Sequence, residues 1–251
     1  MIFDRSGLAA LSDLQTPEWH ELFGPLENMQ AEFLSHEPGF RSLEYKWPRD
    51  PLHNWSRCWE YPYVYHHLLK WRSKVPKNPR VVDVGSGVTF FPFAVARLGC
   101  GVSCVDIDPI CERDLMRAAC CVPCAPGHVN FRYASGSLLP FSTEEIDAVY
   151  CISVIEHMPD FSVLKEIHRI LKPGGLFLLT FDLDLRGDQE IGPVRYRQLK
   201  EGLRALFAEN HDETVHPTDI LTSSNSLFPV PGQPFYLAVE GQFLRRANGP
   251  L

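Results

Sequence analysis

Short apolar runs recur along the chain from residue 80 onward, and each reads as a buried strand. They fall at 80 to 84, 102 to 106, 129 to 132, 146 to 151 and 175 to 182. Between them, apolar residues return every three or four positions, the spacing that gives a helix one dry face. That spacing predicts helices at 89 to 98, 109 to 120, 160 to 171 and 193 to 208. Strand and helix in alternation imply an α/β fold, a doubly wound and mostly parallel sheet with helices on both faces. The tail from Phe235 to Arg246 has strand composition and predicts a last, antiparallel strand.

The front of the chain carries a helical signal. Thr16-Pro17-Glu18 offers a capping hydroxyl and a proline in the first turn, and Trp19, Leu22, Leu26, Met29 and Phe33 follow at helical intervals. Pro25 predicts a break in that helix. An aromatic-rich stretch from Trp55 to Leu69 then leads through a short loop, Lys74 to Asn78, into the first long strand. The division is an N-terminal helical cap over 1–75 and a ligand-binding core over 76–251. Most aromatics of the cap are expected to fill core, while the segment as a whole covers the carboxyl edge of the sheet, where open α/β folds bind ligands.

The richest motif is Val81-Val82-Asp83-Val84-Gly85-Ser86-Gly87, with Asp106 nineteen residues after Gly87. Glycines at a strand-to-helix turn let backbone pass close beneath a ligand, and an acid at the tip of the next strand can accept hydrogen bonds from ribose hydroxyls. The site reads as nucleoside-binding. A dinucleotide fingerprint would place a third glycine where this chain has Phe90, so a ligand without a pyrophosphate fits better and a nicotinamide-dependent oxidoreductase is the weaker reading.

Asp83-x-Gly85-x-Gly87 resembles the first motif of the class I S-adenosylmethionine (SAM) dependent methyltransferases. Val129 to Phe141 is similar to that family's third strand and adenine loop, Ile146 to Cys151 to its fourth strand, and Ile170 to Thr180, with Lys172-Pro173-Gly174-Gly175, to its helix, turn and fifth strand. The resemblance implies a Rossmann-like core and SAM as cofactor. It assigns Gly85, Ser86 and Gly87, beside Asp83, to the methionine and ribose portion, Asp106 with Ile107 to the ribose, and Ser135, Gly136, Ser137 and Leu138 to the adenine. Cys151 is expected to line the cofactor through its backbone. Ser135 stands where many members have Asp, which replaces a charged acceptor for the adenine amino group by a neutral one. In related enzymes the front segment packs across the cofactor and forms the acceptor pocket, and Arg57 is then available to pair with the methionine carboxylate.

Composition narrows the partners. A chain of 251 residues, 45% hydrophobic, with a formal charge of −7 and no run of lysine or arginine is poorly made for a phosphate backbone, so no nucleic acid is expected. No apolar stretch reaches the roughly 20 residues that span a bilayer, and Met1 to Arg5 does not open a signal peptide, so no membrane is expected. Cys100, Cys104, Cys111, Cys120, Cys121 and Cys124 crowd together. Without a second Cys-x-x-Cys or a His pair to complete a zinc site they read as reduced thiols, which points to the cytoplasm.

Methyl transfer from a sulfonium needs a base only when the acceptor must lose a proton. His157, just past the fourth strand, is the candidate catalytic residue, with Glu156 beside it. Asp182 and Asp184 end the fifth strand and point towards the site, but Cys151-Ile152-Ser153 lacks the further acid that a divalent ion would want, so no metal is expected. His66, His67, His211 and His216 are expected at the surface. Leu185 to Pro193 has the length and placement of a lid. The expected partner is a small-molecule methyl acceptor, methylated at oxygen or nitrogen. The alternatives are a SAM-binding regulatory protein without turnover and a methyltransferase acting on a macromolecule.

Overall fold

The computed structural model describes residues 3, 5–75, 77–184, 191–209, 214–230 and 236–245. In chain order they form β1 (Gly7–Leu8), a 3-10 turn, α1 (Pro17–Phe40), α2 (Arg57–Arg72), β2 (Arg80–Val84), α3 (Phe91–Ala96), β3 (Gly101–Asp106), α4 (Pro109–Cys121) and β4 (His128–Tyr133). After these come β5 (Ile146–Ile152), a second 3-10 turn (Ile155–His157), α5 (Val163–Ile170), β6 (Leu171–Leu183), α6 (Pro193–Leu206), β7 (Phe207–Glu209), a third 3-10 turn and β8 (Tyr236–Arg245). The adjoining lid segment 185–190 and His211 lie outside the described residues.

The sheet runs β1-β8-β6-β5-β2-β3-β4, with β7 also paired to β8. Pairing is parallel from β4 through β6 and antiparallel where β8 joins β6 and β1. The fold is the expected Rossmann-like one. The chain steps outward from β2 to β3 and β4, then returns to lay β5 on the other flank of β2. That reversal opens a crevice above the carboxyl ends of β2 and β5.

Strand alternation sends successive side chains to opposite faces. On one face Val81, Val102, Cys104, Tyr150 and Ile152 pack with α1 to α4; on the other Val82, Val84, Cys151, Phe177 and Leu179 pack with α5 and α6. Helix starts follow local chemistry. The Asp108 carboxylate accepts from the Ile110 N–H at 2.8 Å ahead of Pro109, and Cys111, Leu115 and Ala118 then line the buried side of α4.

Two expectations need correction. Pro25 does not break α1, which is continuous over its 24 residues. Pro25 lies on the exposed side, so the carbonyl it leaves without a donor faces water, while Trp19, Phe23, Leu26, Phe33 and Phe40 hold the buried side. His67 is buried rather than at the surface, with Nε2 at 2.7 Å from the Phe3 carbonyl. The clustered cysteines are free thiols: Cys100, Cys104 and Cys111 are buried, and Cys120 and Cys121 are exposed on α4.

Candidate functional site

A cavity of about 820 Å³ occupies the crevice above β2 and β5. Its floor is Asp83 to Gly87, where Gly85 and Gly87 take φ of 71° and 54°, values that favour glycine. A Cβ on Gly85 would stand 2.4 Å from Val154 Cγ1, so the turn holds backbone where a side chain has no room. Ser86, buried beside them, donates its hydroxyl to the Gly87 carbonyl at 3.2 Å.

Asp106 ends β3 on the same cavity. Its Oδ2 accepts from the Gly87 N–H and its Oδ1 from the Asp108 N–H, each at 3.0 Å. Two backbone donors thus fix the carboxylate to the glycine turn, with lone pairs left for ligand hydroxyls. Ile107, next along, lines the rim and is 62% exposed.

Asp83 is almost wholly buried, and that burial pushes its carboxyl up to about 8; the nearby Tyr150 hydroxyl opposes the shift and the Asp106 charge adds to it. Tyr150 lines the cavity from β5, and its buried hydroxyl meets no partner at hydrogen-bonding geometry. A cation or donor entering above it would meet an acid inclined to stay protonated with the Tyr150 hydroxyl beside it.

The front segment supplies the opposite wall: Tyr45, Trp47, Pro48, Pro51 and Asn54 from the loop after α1, then Arg57 and Tyr61 from α2. The loop is tied to the core. The Tyr45 hydroxyl accepts from the Val88 N–H at 3.0 Å, the Arg41 guanidinium sits 4.2 Å over the Tyr45 ring and donates to the Val88 carbonyl, and the Ser42 N–H and hydroxyl both donate to Asp114. Burial pushes the Tyr45 phenol up to about 12, so it remains a neutral hydroxyl. Tyr61 stacks on Phe91 at 4.6 Å. The other aromatics of α2 fill core, as Trp59 stacked on Tyr63 at 4.8 Å illustrates. Arg57 reaches the cavity already paired with Glu60 on the next turn of its own helix.

The expected site residues do not all converge. Arg57, Asp83, Gly85, Ser86, Gly87, Asp106, Ile107, Gly136, Ser137 and His157 line the cavity. Ser135 and Leu138 do not. They bridge each other across a tight turn closed by the Leu138 N–H on the Ser135 carbonyl at 3.2 Å, which leaves both exposed and gives the lining to Ala134, Gly136, Ser137 and Leu139. Cys151 does not line it either. Alternation along β5 turns Tyr150 and Ile152 to the cavity face and Cys151 to the opposite core.

His157 stands exposed at the mouth, at the end of the 3-10 turn. Glu156 turns away into the protein, where its Oε1 accepts from the Asp182 N–H at 3.3 Å; burial, with Asp182 adding, holds its carboxyl well above the usual range. Asp182 and Asp184 are not part of the cavity lining. Among the described residues no group of three or more His, Cys, Asp or Glu is arranged to hold a metal ion. Sequence reasoning missed Tyr45, Trp47 and Asn54, which lie in a loop without periodicity. It also missed Tyr150, which the alternation of β5 could have shown.

A sheet that reverses order at β2, with a glycine turn and an acid-tipped neighbour facing one cavity, defines a nucleoside-binding α/β domain. Residues 82–179 match the family model for a methyltransferase domain. That matched stretch runs from β2 to β6 and makes this part of the chain similar to a methyltransferase domain. An uncharacterized methyltransferase of Mycobacterium tuberculosis is 34% identical over 132 residues, covering 51% of this chain and 50% of that protein. One from Mycobacterium leprae is 35% identical over 125 residues, covering 48% and 44%. The chain thus spans about half the length of the curated relatives it matches.

Solved structures share the fold. A SAM-dependent methyltransferase of Methanosarcina mazei superposes with a TM-score of 0.54 at 14% identity, covering 74% of this chain and 98% of that one. The [4+2]-cyclase SpnF superposes at 0.52 with 24% identity, covering 82% and 77%. Among the described residues no helix is long and apolar enough to cross a membrane.

Proposed function

We propose that this protein binds SAM in the crevice above β2 and β5 and transfers its methyl group to an oxygen or nitrogen of a small or medium-sized metabolite. One observation carries the reading. A single cavity joins the Gly85–Gly87 turn and Asp106 on one side to the wall of Tyr45, Trp47, Asn54 and Tyr61 on the other. Its volume lies near the upper end of the roughly 300–1,000 Å³ of small-molecule sites, which suits a donor and an acceptor side by side.

The residues fit that donor. The glycine turn receives the methionine portion, Asp106 accepts from the ribose hydroxyls, Gly136 and Ser137 flank the adenine, and Arg57 faces the methionine carboxylate. SAM, when bound, supplies a methyl on a positively charged sulfur. The protein's task is to hold the acceptor about 3 Å from that methyl in line with the leaving sulfur. Tyr45 and Tyr61 contribute ring faces that attract a cation. His157, exposed at the mouth, would take the proton only of an acceptor too bulky to enter the cavity. The thiol-rich composition and the acidic charge suit a cytoplasmic enzyme with a metabolite as partner and neither nucleic acid nor membrane.

Calorimetric titration tests the donor. SAM and its demethylated product S-adenosylhomocysteine are expected to bind and NAD is not; binding of NAD alone would overturn the reading. Replacing Asp106 by Ala is expected to weaken both productive ligands about 10- to 100-fold, the worth of hydrogen bonds to a charged group, with the far-ultraviolet spectrum unchanged. Transfer of labelled methyl into protein or RNA fractions and not into metabolites would move the acceptor to a macromolecule. SAM binding with no transfer anywhere would favour a binding protein without turnover.

A further inference from the structure

We propose that Ser153, backed by the buried carboxylate of Glu60, receives the proton of the methyl acceptor, and that the acceptor therefore presents an N–H or O–H to the cavity. The proposal rests on the donor site described above and adds the chemistry at its acceptor side.

Ser153 is the first residue beyond β5, and it lines the cavity between Ile152 and Val154. It is a non-glycine residue at a φ of 43°, in the left-handed region that costs such a residue on the order of 1–3 kcal/mol. Its N–H is held by the Thr180 carbonyl at 2.9 Å. A glycine would sit there without strain; the serine adds a hydroxyl. That hydroxyl donates to Glu60 Oε1 at 2.8 Å. Glu60 is fully buried on α2, and its other oxygen accepts from Arg57.

The direction of this chain decides what the serine can do. Its only proton points inward to a carboxylate, so towards the cavity it offers lone pairs alone. A ligand atom facing Ser153 must donate. Arg57 donates to the other Glu60 oxygen, so a cation stands beside the carboxylate that receives the serine's proton.

As the acceptor nitrogen or oxygen forms its bond to the methyl carbon, the carbon–sulfur bond breaks and its electron pair stays on sulfur, leaving a neutral thioether. The acceptor's proton passes to Ser153 Oγ while the serine's own proton passes to Glu60 Oε1. Product release returns that proton to solvent by the same route. Glu60 is faced by Arg57, Cys58 and Tyr61 on α2 and by Cys151 and Glu156 on the β5 side, with Asp182 on β6 acting through Arg57. Arg57 is the one cation among these groups.

The test uses the full chain, SAM labelled in its methyl group, and a panel of phenols, catechols, alcohols, primary and secondary amines and heteroaromatic N–H compounds, with tertiary amines and thioethers as members without a transferable proton. With a panel member that the wild type methylates, Ser153→Ala and Ser153→Gly are both expected to slow transfer by about 100-fold or more, the lower end for a positioned acid–base group. SAM affinity by calorimetry should stay within about twofold. Ser153→Gly relieves the backbone, so a loss in that variant is a loss of the hydroxyl. Glu60 acts through Ser153 as a positioning residue. Glu60→Gln should lower kcat by a similar factor with the acceptor KM little changed, and Glu60→Asp should restore part of the kcat, a split that a packing role would not produce. Rates within threefold of wild type in both serine variants would overturn the proposal, as would methylation confined to compounds without a transferable proton. SAM binding with no transfer to any panel member would also overturn it and leave the donor site standing. Absence of SAM binding would sink the donor site itself.

Discussion

Asp83 is held far from the ordinary state of a carboxylate. With its folded pKa raised from 3.8 to about 8, the folded protein keeps a proton between those values that the unfolded chain gives up. Its contribution to stability is therefore fully present below about pH 4 and is lost as pH rises through 8. Asp83→Asn cannot ionise. Its melting temperature should exceed that of the wild type at pH 8 to 9, with the gap closing towards pH 4. Binding of a cation above Asp83 should expel the proton, so the heat of SAM binding at pH 7 should vary with the ionisation enthalpy of the buffer, and in Asp83→Asn it should not. Buffer-independent heats in the wild type would rule out this coupling. Gly85 gives a steric counterpart. Gly85→Ala should destabilise by about 1–3 kcal/mol through overlap with Val154 and the left-handed backbone. Adding Val154→Ala should recover the overlap part alone, leaving about 1 kcal/mol in chemical denaturation.

At the scale of elements, α1 carries a proline in mid-helix. Pro25→Ala restores an N–H and a better helix former, while releasing some entropy in the unfolded chain. A net gain of about 1–2 kcal/mol is expected, a rise of several degrees in a thermal melt for a chain of this size. No rise would mean that the turn around residue 25 leaves no bond to regain. The same helix shows where sequence reading stops. Strands were legible because a buried parallel strand is a continuous apolar run, and β2 was read to the residue. Helix continuity was not, since whether Pro25 faces water or core depends on packing partners far along the chain. The phase of a strand is likewise invisible when both faces are buried. Tyr150 and Cys151 look equally apolar in the sequence, and only the register with Asp83 and the helices above decides which one meets the ligand. The glycine turn and Asp106 were legible because their chemistry is local. The loop from Arg41 to Ser56 was not, because its order comes from contacts with Val88 and Asp114.

For the molecule as a whole, the front segment and the sheet share one apolar interior. Phe3, Trp19, Phe33, Trp59 and Leu68 belong to the same cluster as Val81, Cys104, Tyr150 and Leu178. The front segment also sends β1 to the sheet. Cutting the chain to residues 76–251 would uncover that face, so the truncated protein should be insoluble, or soluble only in a form that binds a hydrophobic dye and melts without cooperativity. A cooperative, dye-free fragment would show that the sheet is self-sufficient. The ties of Tyr45 and Arg41 to Val88 add that the front wall of the cavity and the glycine turn are one mechanical unit. Substitutions in the wall are therefore expected to reach the donor side.

Gly7 in the first strand lies opposite Val239 in the last. During synthesis at roughly 5–20 residues per second, one partner emerges on the order of ten seconds or more after the other. Late in that interval β2 to β5 are already made while the flank beside β6 still waits for β8. A nascent chain is thus able to assemble its glycine turn before its sheet is finished, and early donor binding would draw folding forward from the ligand outward.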